Sequence, residues 1–272
     1  MTLSTRTATV AWSRGPAVGL AVQFVLLAGI AGTTGLTTAG WLAGTAYGIG
    51  LCALLAAGLR RAGMTAMGPA NVVTFARALM IGGVTAMVVS ALHRPVHQTA
   101  LITLVGVALA LDGVDGQVAR RTGSSTRLGA RFDMEVDSVL VLVLSVFAAG
   151  TYGWWTIAIG GARYAFVAAS WAVPWLTAPL PPRFSRKVVA AAEGVVLVVA
   201  LAHILPEPVV LVALAAALTS VAWSFGRDVR WLWRAEQLRR AAAVRPNLPI
   251  VPRPRAADFD RKPLHRRPAP VS

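Results

Sequence analysis

Four aspartates in the middle of the chain are spaced so that their carboxylates can act together. Asp112 and Asp115 are three residues apart, and Asp133 and Asp137 are four residues apart. On a helix, either spacing places both side chains on one face. Converging carboxylate oxygens bind hard divalent cations, and a pair of such cations commonly assists displacement at phosphorus. The spacing therefore predicts a two-metal site for Mg²⁺ or Mn²⁺ between two antiparallel helices.

Small residues and an arginine surround these aspartates. Gly116 and Ala119 leave little side-chain bulk on the first helix, and Gly129 opens the start of the next. A flat ligand can contact the backbone there, and Arg120 suits a phosphate through its planar guanidinium. Thr126 adds a hydroxyl in the connecting loop. The pattern indicates a pocket for a nucleotide diphosphate, although each glycine taken singly favours the alternative of close helix packing.

The composition of the whole chain points to a polytopic membrane protein. Of its 272 residues, 56% are hydrophobic and 14% are charged, whereas soluble domains carry about 25% charged residues. The 26 Lys and Arg residues outnumber the 11 Asp and Glu residues, which gives a formal charge of +15. This balance excludes intrinsic disorder and argues against a nucleic-acid partner. The single cysteine, Cys52, excludes an internal disulfide.

Eight apolar runs approach the length of about 20 residues that a membrane-spanning helix needs. They predict an all-α fold, a bundle of transmembrane helices. The first run has a basic start and could instead be a signal peptide, although it is long for that role. The runs cover 16–34, 37–59, 71–92, 98–119, 131–150, 153–178, 187–205 and 208–226.

Basic residues mark one side of this bundle. They precede the first run and follow the second, fourth, sixth and eighth, so an even span count places them all on one side. Positively charged loops stay in the cytoplasm. We therefore expect a multi-pass protein of the cell membrane with both termini and the acidic cluster facing the cytoplasm. The tail after about 244, rich in proline and arginine, should be disordered beside anionic lipid.

The runs also predict the depth of the aspartates. At 1.5 Å per residue, Asp115 is about one turn before the end of its helix and Asp133 about one turn after the start of the next. Both pairs should thus lie just inside the membrane boundary, and Glu135 should point elsewhere. A proton relay or ion path in a transporter is the alternative, but transporters place such acids near mid-membrane.

The stretch from 112 to 137 resembles the signature of the CDP-alcohol phosphatidyltransferase family, D-x2-D-G-x2-A-R-x8-G-x3-D-x3-D. The segment GPANVVTFAR at 68–77 is similar to the start of that family's first core helix, with Asn71 and Thr74 in matching places. All eight fixed positions of the signature are present with the same spacing: Asp112, Asp115, Gly116, Ala119, Arg120, Gly129, Asp133 and Asp137.

The resemblance implies a division of the chain into three parts. A six-helix phosphatidyltransferase core would occupy 68–226, after two added transmembrane helices in 1–67. The segment 227–272 would be a basic cytoplasmic tail, first an interfacial helix and then disordered. Homodimers are common in similar families, and membrane lipids would surround the core.

The resemblance also implies an activity and a role for each matching residue. A phosphatidyl group would pass from CDP-diacylglycerol to an alcohol, with release of CMP, in phospholipid biosynthesis. Asp137 would be the general base. The metal ligands, for two Mg²⁺ or Mn²⁺ ions, would be Asp112, Asp115, Asp133 and Asp137. The CDP group would be bound by Asn71, Thr74, Gly116, Ala119, Arg120, Thr126 and Gly129.

Four basic residues are candidates for binding the acceptor. Arg163 lies inside an apolar run, where an unpaired charge is unfavourable. Similar proteins hold a phosphorylated acceptor with arginines and a lysine in comparable places, so glycerol 3-phosphate or inositol phosphate is expected. The alternatives are ordinary positive flanking for 183–187 and a structural pair of Arg163 with Glu193. The candidates are Arg163, Arg183, Arg186 and Lys187.

Other classes of protein share some of these features. An intramembrane prenyltransferase needs a second Asp-rich motif, and the sequence has none outside 112–137. A transporter or a non-catalytic scaffold for lipid or nucleotide is the non-enzymatic alternative. An inactive scaffold is expected to have lost a signature acid, and all four are present.

Overall fold

The structure is a computed structural model that describes residues 10–11, 15–63, 66–67, 69–122, 126–181 and 183–244. For 10–11, 15–16, 66–67, 69–70, 114–122, 127 and 242–244 it describes the backbone alone. The helices are α1 (Gly15–Thr34), α2 (Thr38–Arg61), α3 (Pro69–Ala91), α4 (Gln98–Thr122), α5 (Arg127–Tyr152), α6 (Ile157–Ala172), α7 (Phe184–Ala202) and α8 (Glu207–Val244).

These eight helices confirm the predicted all-α bundle, and each overlaps one predicted apolar run. The strands in the described part are two residues long, and β1 (Val10–Ala11) pairs antiparallel with β2 (Ala66–Met67). Short 3₁₀ turns at Trp154–Thr156 and Pro174–Thr177 flank α6. The run predicted for 153–178 is therefore a helix of 16 residues between two tighter turns.

Four helices in the described part are long and apolar enough to cross a membrane, namely within α1, α2, α3 and α8. The other four fall short for visible reasons. Charged residues lie within α5 and α7, α6 has only 16 residues, and the side chains of α4 are described only as far as Gly113. The protein is an integral membrane protein, and the predicted metal ligands lie on α4 and α5.

Helix α3 is the centre of the bundle and packs against α1, α2, α4 and α5. Its side chains are buried on nearly every face, as expected of a helix that is apolar all round. Gly40 of α2 allows close approach, because a Cβ there would lie 2.6 Å from the Ala86 carbonyl oxygen of α3. The Thr37 N–H donates to Ser90 Oγ at 3.1 Å and joins the start of α2 to α3.

Helices α5 and α6 run antiparallel in close contact. A Cβ on Gly160 would lie 2.4 Å from Leu142 Cα, so only glycine fits at this crossing. The Gly160 N–H donates to Ser145 Oγ at 3.1 Å, and the Thr156 hydroxyl donates to the Ser145 carbonyl oxygen at 3.1 Å. This register decides which side chains of α6 face the acidic part of α5.

The two helices that carry the aspartates extend about one turn further than predicted. Helix α4 continues to Thr122 and α5 begins at Arg127, so both extend further than the apolar runs. Thr126 explains the early start of α5, because its hydroxyl accepts the Gly129 N–H at 2.9 Å as an N-cap. Asp115 and Asp133 are consequently about two turns, not one, from these helix ends. Their depth relative to the membrane boundary stays a prediction.

The segment after residue 226 is a direct continuation of α8, which runs unbroken for 38 residues. Residues 227–244 are thus helical, and the interfacial position expected for them stays a prediction. The disorder predicted for the rest of the tail concerns residues 245–272, which lie outside the described residues.

Candidate active site

Three of the four signature aspartates converge between α4 and α5. Carboxylate oxygens of Asp112, Asp133 and Asp137 lie within 4.8 Å of one another. Asp112 comes from α4, and the other two come from successive turns of one face of α5. We call these three residues the carboxylate cluster. The side chain of the fourth, Asp115, lies outside the described residues.

A buried arginine from α3 contacts all three acids. Arg77 Nη1 forms an ion pair with Asp112 Oδ1, and Arg77 Nη2 forms one with Asp137 Oδ1. The same Nη2 lies 3.0 Å from Asp133 Oδ1. Because α3 is the central helix, this guanidinium joins the cluster to the core of the bundle.

Exposure separates the arginine from the acids. The side chain of Arg77 is 1% exposed, whereas those of Asp112, Asp133 and Asp137 are 45%, 40% and 53% exposed. The arginine thus lies beneath the acids, and the acids open outward. One positive charge meets three negative charges, so the cluster has a surplus of negative charge on its open side.

The donor atoms of the cluster suit a hard divalent cation. Mg²⁺ and Mn²⁺ prefer carboxylate oxygens, and three carboxylates gathered within 4.8 Å supply such oxygens. Exposure of the acids leaves room for water and for substrate oxygens to complete the coordination. The residues present therefore fit a divalent metal, and the metal and catalytic roles of the individual residues stay predictions.

Three of the predicted nucleotide-binding residues meet beside the cluster. Asn71 of α3 is buried, and its Oδ1 would lie 2.3 Å from a Cβ on Gly129. Thr126 Oγ1 would lie 3.1 Å from the same Cβ. Gly129 therefore permits the first turn of α5 to approach the first turn of α3. Thr74, one turn further along α3, is also buried.

The remaining predicted nucleotide contacts are on the last turns of α4. Their backbone is helical, and their side chains lie outside the described residues: Gly116, Ala119 and Arg120.

Glu135 points away from the carboxylate cluster, as its spacing predicts, and forms an ion pair with Arg163 Nη2 of α6. Arg163 Nη1 also lies 3.2 Å from Met134 Sδ. A structural pair for Arg163 is one of the two roles considered for it, but the partner is Glu135 and not Glu193. The antiparallel register of α5 and α6 is the reason, since it places position 163 beside 134–135.

Two of the other predicted acceptor residues share one buried acid. Asp228 of α8 is 7% exposed, and its Oδ2 lies 2.8 Å from Arg186 Nε of α7. Arg183 Nη1 lies 3.8 Å from Asp228 Oδ1. We call Arg183, Arg186 and Asp228 the arginine cluster. Arg227 extends it, because its Nη2 donates to Ser185 Oγ at 2.9 Å.

The two arginines of this cluster lie at the start of α7, where the helix dipole favours anions. Arg183 is the residue that precedes α7, with an extended backbone. Lys187 is exposed on the same turn. The structure thus brings Arg183 and Arg186 together, whereas Arg163 belongs to a separate ion pair.

Two residues of these clusters had no predicted role. The sequence does single out Arg77 in the same way as Arg163, because each is a charged residue inside an apolar run. It also follows Thr74 by three residues, so both lie on one helix face. Asp228 is a single acid between arginines, in the segment RDVR that follows the eighth run.

The sequence model of the CDP-alcohol phosphatidyltransferase family matches residues 67–225, more than half of the chain. No solved structure matches.

Two curated relatives match a short segment. Ethanolaminephosphotransferase 1 of Homo sapiens is 52% identical over 52 residues, and its namesake from Pongo abelii is 50% identical over 52 residues. Each match covers 17% of this chain and 13% of the relative. The chain therefore matches only a small part of the length of these relatives.

Proposed function

The chain belongs to the CDP-alcohol phosphatidyltransferase family, and from this membership we propose that it transfers a phosphatidyl group from CDP-diacylglycerol to an alcohol acceptor. CMP is the second product, and the reaction belongs to phospholipid biosynthesis. The observation that carries the proposal is the convergence of Asp112, Asp133 and Asp137, open to the outside and supported from below by the bundle core.

Asp137 is the proposed general base. The acceptor hydroxyl attacks the phosphorus attached to the diacylglycerol, and its oxygen forms a new bond to that phosphorus. The bond between this phosphorus and the oxygen bridging to CMP breaks, and CMP leaves with the oxygen. The proton of the hydroxyl passes to a carboxylate oxygen of Asp137, which is the most exposed of the three acids.

The carboxylate cluster is the proposed site for Mg²⁺ or Mn²⁺, with Asp115 as a further ligand. When bound there, the cations neutralise the diphosphate of the donor and the charge that develops on the leaving CMP. Asn71, Thr126 and Gly129 form the adjoining wall, so we place the nucleotide beside them, together with Thr74, Gly116, Ala119 and Arg120.

The arginine cluster is the proposed site for a phosphate on the acceptor. Two arginines and a helix N-terminus present positive charge there, and Lys187 adds a further ammonium group. This arrangement favours a phosphorylated polyol, with glycerol 3-phosphate and inositol phosphate as the first choices. Arg163, which pairs with Glu135 apart from this cluster, is proposed as a further contact of the acceptor.

The orientation and division of the chain are part of the proposal. The distribution of basic residues supports a cytoplasmic location for both clusters and both termini. Residues 68–226 would then be the catalytic core, in accord with the family match at 67–225. Helices α1 and α2 would be an addition that packs against α3.

Transfer of phosphoethanolamine is the second candidate activity. The match to proteins named ethanolaminephosphotransferase favours it, over 17% of this chain. In that case the donor would be CDP-linked ethanolamine and the acceptor a lipid alcohol. The arginine cluster, with its surplus of positive charge, fits an ammonium-bearing group less well than a phosphate.

A substrate panel tests both candidates on the purified protein. One arm supplies CDP-diacylglycerol with glycerol 3-phosphate, inositol phosphate or a polyol without phosphate, and a second arm supplies CDP-ethanolamine with diacylglycerol. CMP release matched to a new lipid in the first arm supports the proposal. Release in the second arm alone replaces it with the second candidate, and no release above a metal-free control in either arm contradicts both.

A further inference from the structure

Arg77 is the feature of the site that the proposed chemistry does not use. It is among the largest fully buried side chains of the described residues, and it comes from α3, outside the two helices that carry the aspartates. A buried charge without compensation is strongly unfavourable, so its three acidic partners account for its presence there. The arginine must in turn affect the three acids.

Repulsion between the three acids favours their separation when no cation is bound. Their oxygens lie within 4.8 Å of one another, and like charges at that distance repel. Arg77 contacts one oxygen, Oδ1, of each acid, and so draws all three toward a single point. Its guanidinium keeps its charge at any ordinary pH, which makes this attraction permanent.

The same charge must act on any cation that binds to the cluster. A divalent ion that enters from the exposed side meets acids that are already gathered, but it also meets the positive guanidinium beneath them. Arg77 therefore favours the gathering of the three acids before a cation binds, and it reduces the attraction of the cluster for that cation. The two effects come from one side chain and can be separated by substitution.

We propose that Arg77 is a positioning residue and built-in counter-charge that holds Asp112, Asp133 and Asp137 together without a cation and weakens the binding of the cation. The first half of this inference depends on the ion pairs alone. The second half rests on the proposed function, since it requires that a divalent cation binds at the cluster.

The first half is tested in a chelator by thermal unfolding, followed through the nine tryptophans. Arg77→Gln should lower the midpoint by on the order of 10 °C, as expected when one partner of a buried ion pair is removed. Adding Asp112→Asn to Arg77→Gln should restore at least about half of that loss, because it removes one of the repelling charges. A double variant no more stable than Arg77→Gln overturns the inference.

A matched control uses the neighbouring acid outside the cluster. Glu135→Gln removes the same charge from α5 but from the face that pairs with Arg163. Combined with Arg77→Gln, it should restore none of the lost stability. If Arg77→Gln does not yield folded protein, the monodisperse fraction recovered in detergent replaces the midpoint, and Asp112→Asn must raise that fraction. If Asp112→Asn and Glu135→Gln restore the stability of Arg77→Gln equally, the effect is a general one of charge, and the inference is overturned.

The second half is tested by adding Mn²⁺ to the same proteins. The rise in unfolding midpoint caused by Mn²⁺ should be larger in Arg77→Gln than in the wild type, and Arg77→Lys, which keeps the charge, should stay near the wild type. An equal or smaller rise in Arg77→Gln overturns the second half. Absence of any rise in all three proteins overturns it together with the metal requirement of the proposed function, while the chelator experiment still decides the first half.

Discussion

The carboxylate cluster and the arginine cluster have the same arrangement with opposite charges: one buried charge pairs with several more exposed charges of the other sign. In the first, one buried arginine is shared by three acids that are 40–53% exposed. In the second, one buried aspartate is shared by two arginines that are 29% and 30% exposed. Each buried charge organises the others, and the surplus charge faces outward. The sign of that surplus decides which ligand each cluster attracts, a cation in one case and an anionic group in the other.

Removal of the cation should have the largest effect and should act at the carboxylate cluster. Treatment with a chelator is expected to lower CMP release by about 10³-fold or more, because cations at such sites contribute several kcal/mol of transition-state stabilisation. Mg²⁺ or Mn²⁺ should restore the rate. If activity stays within about twofold after complete chelation, the assignment of a required cation to the carboxylate cluster is contradicted.

Asp137→Asn should have the next largest effect. The amide keeps the shape of the side chain but cannot accept the proton of the acceptor, so kcat should fall by about 10²–10⁴-fold. Binding of the CDP-lipid, measured with a fluorescent analogue, should persist. Glu135→Gln is the matched control on the opposite face of α5, and an equal loss of kcat in both variants would remove Asp137 as the base.

Arg186→Gln tests the arginine cluster directly. Loss of a charged hydrogen bond to phosphate should raise the KM for a phosphorylated acceptor by about 10-fold to 100-fold. The KM for CDP-diacylglycerol should change little. Arg230→Gln, an exposed arginine on α8, removes the same charge as a control. Equal increases in both KM values would favour a purely structural role for Arg186.

Asp228→Asn should have the smallest effect and sharpens the comparison. The free energy of unfolding should fall by about 1–2 kcal/mol, below the usual loss for a fully buried pair because both arginines are partly exposed. The same variant should lower the KM for a phosphorylated acceptor by a few-fold, since the arginines lose a competing carboxylate. A raised KM with unchanged stability would show that Asp228 contributes to acceptor binding itself.

The sequence predicts the shared face of Asp133 and Asp137 well because a local periodicity determines it. The spacing of Asp133 and Asp137 puts them on one face of α5, and the same rule directs Glu135 elsewhere. The error in the start of α5 also has a local cause, since the Thr126 cap starts the helix before its apolar run begins. Hydropathy marks where a helix enters lipid, whereas capping marks where the helix begins.

The ion-pair partners could not be predicted, because they depend on which helices are neighbours. Arg163 meets Glu135 only because α6 crosses α5 at Gly160. Arg186 meets Asp228 only because α7 packs against α8. Arg77 could have been singled out as an unusual charge in an apolar run, but its three partners follow from the central place of α3 in the bundle.

The unbroken helix α8 is a suitable point for attaching a second protein. At 1.5 Å per residue its 38 residues span about 57 Å, roughly twice the hydrocarbon thickness of a bilayer. A protein fused in helical register after Val244 would therefore move with the bundle as one body. Such a fusion would add a landmark for single-particle imaging of the protein.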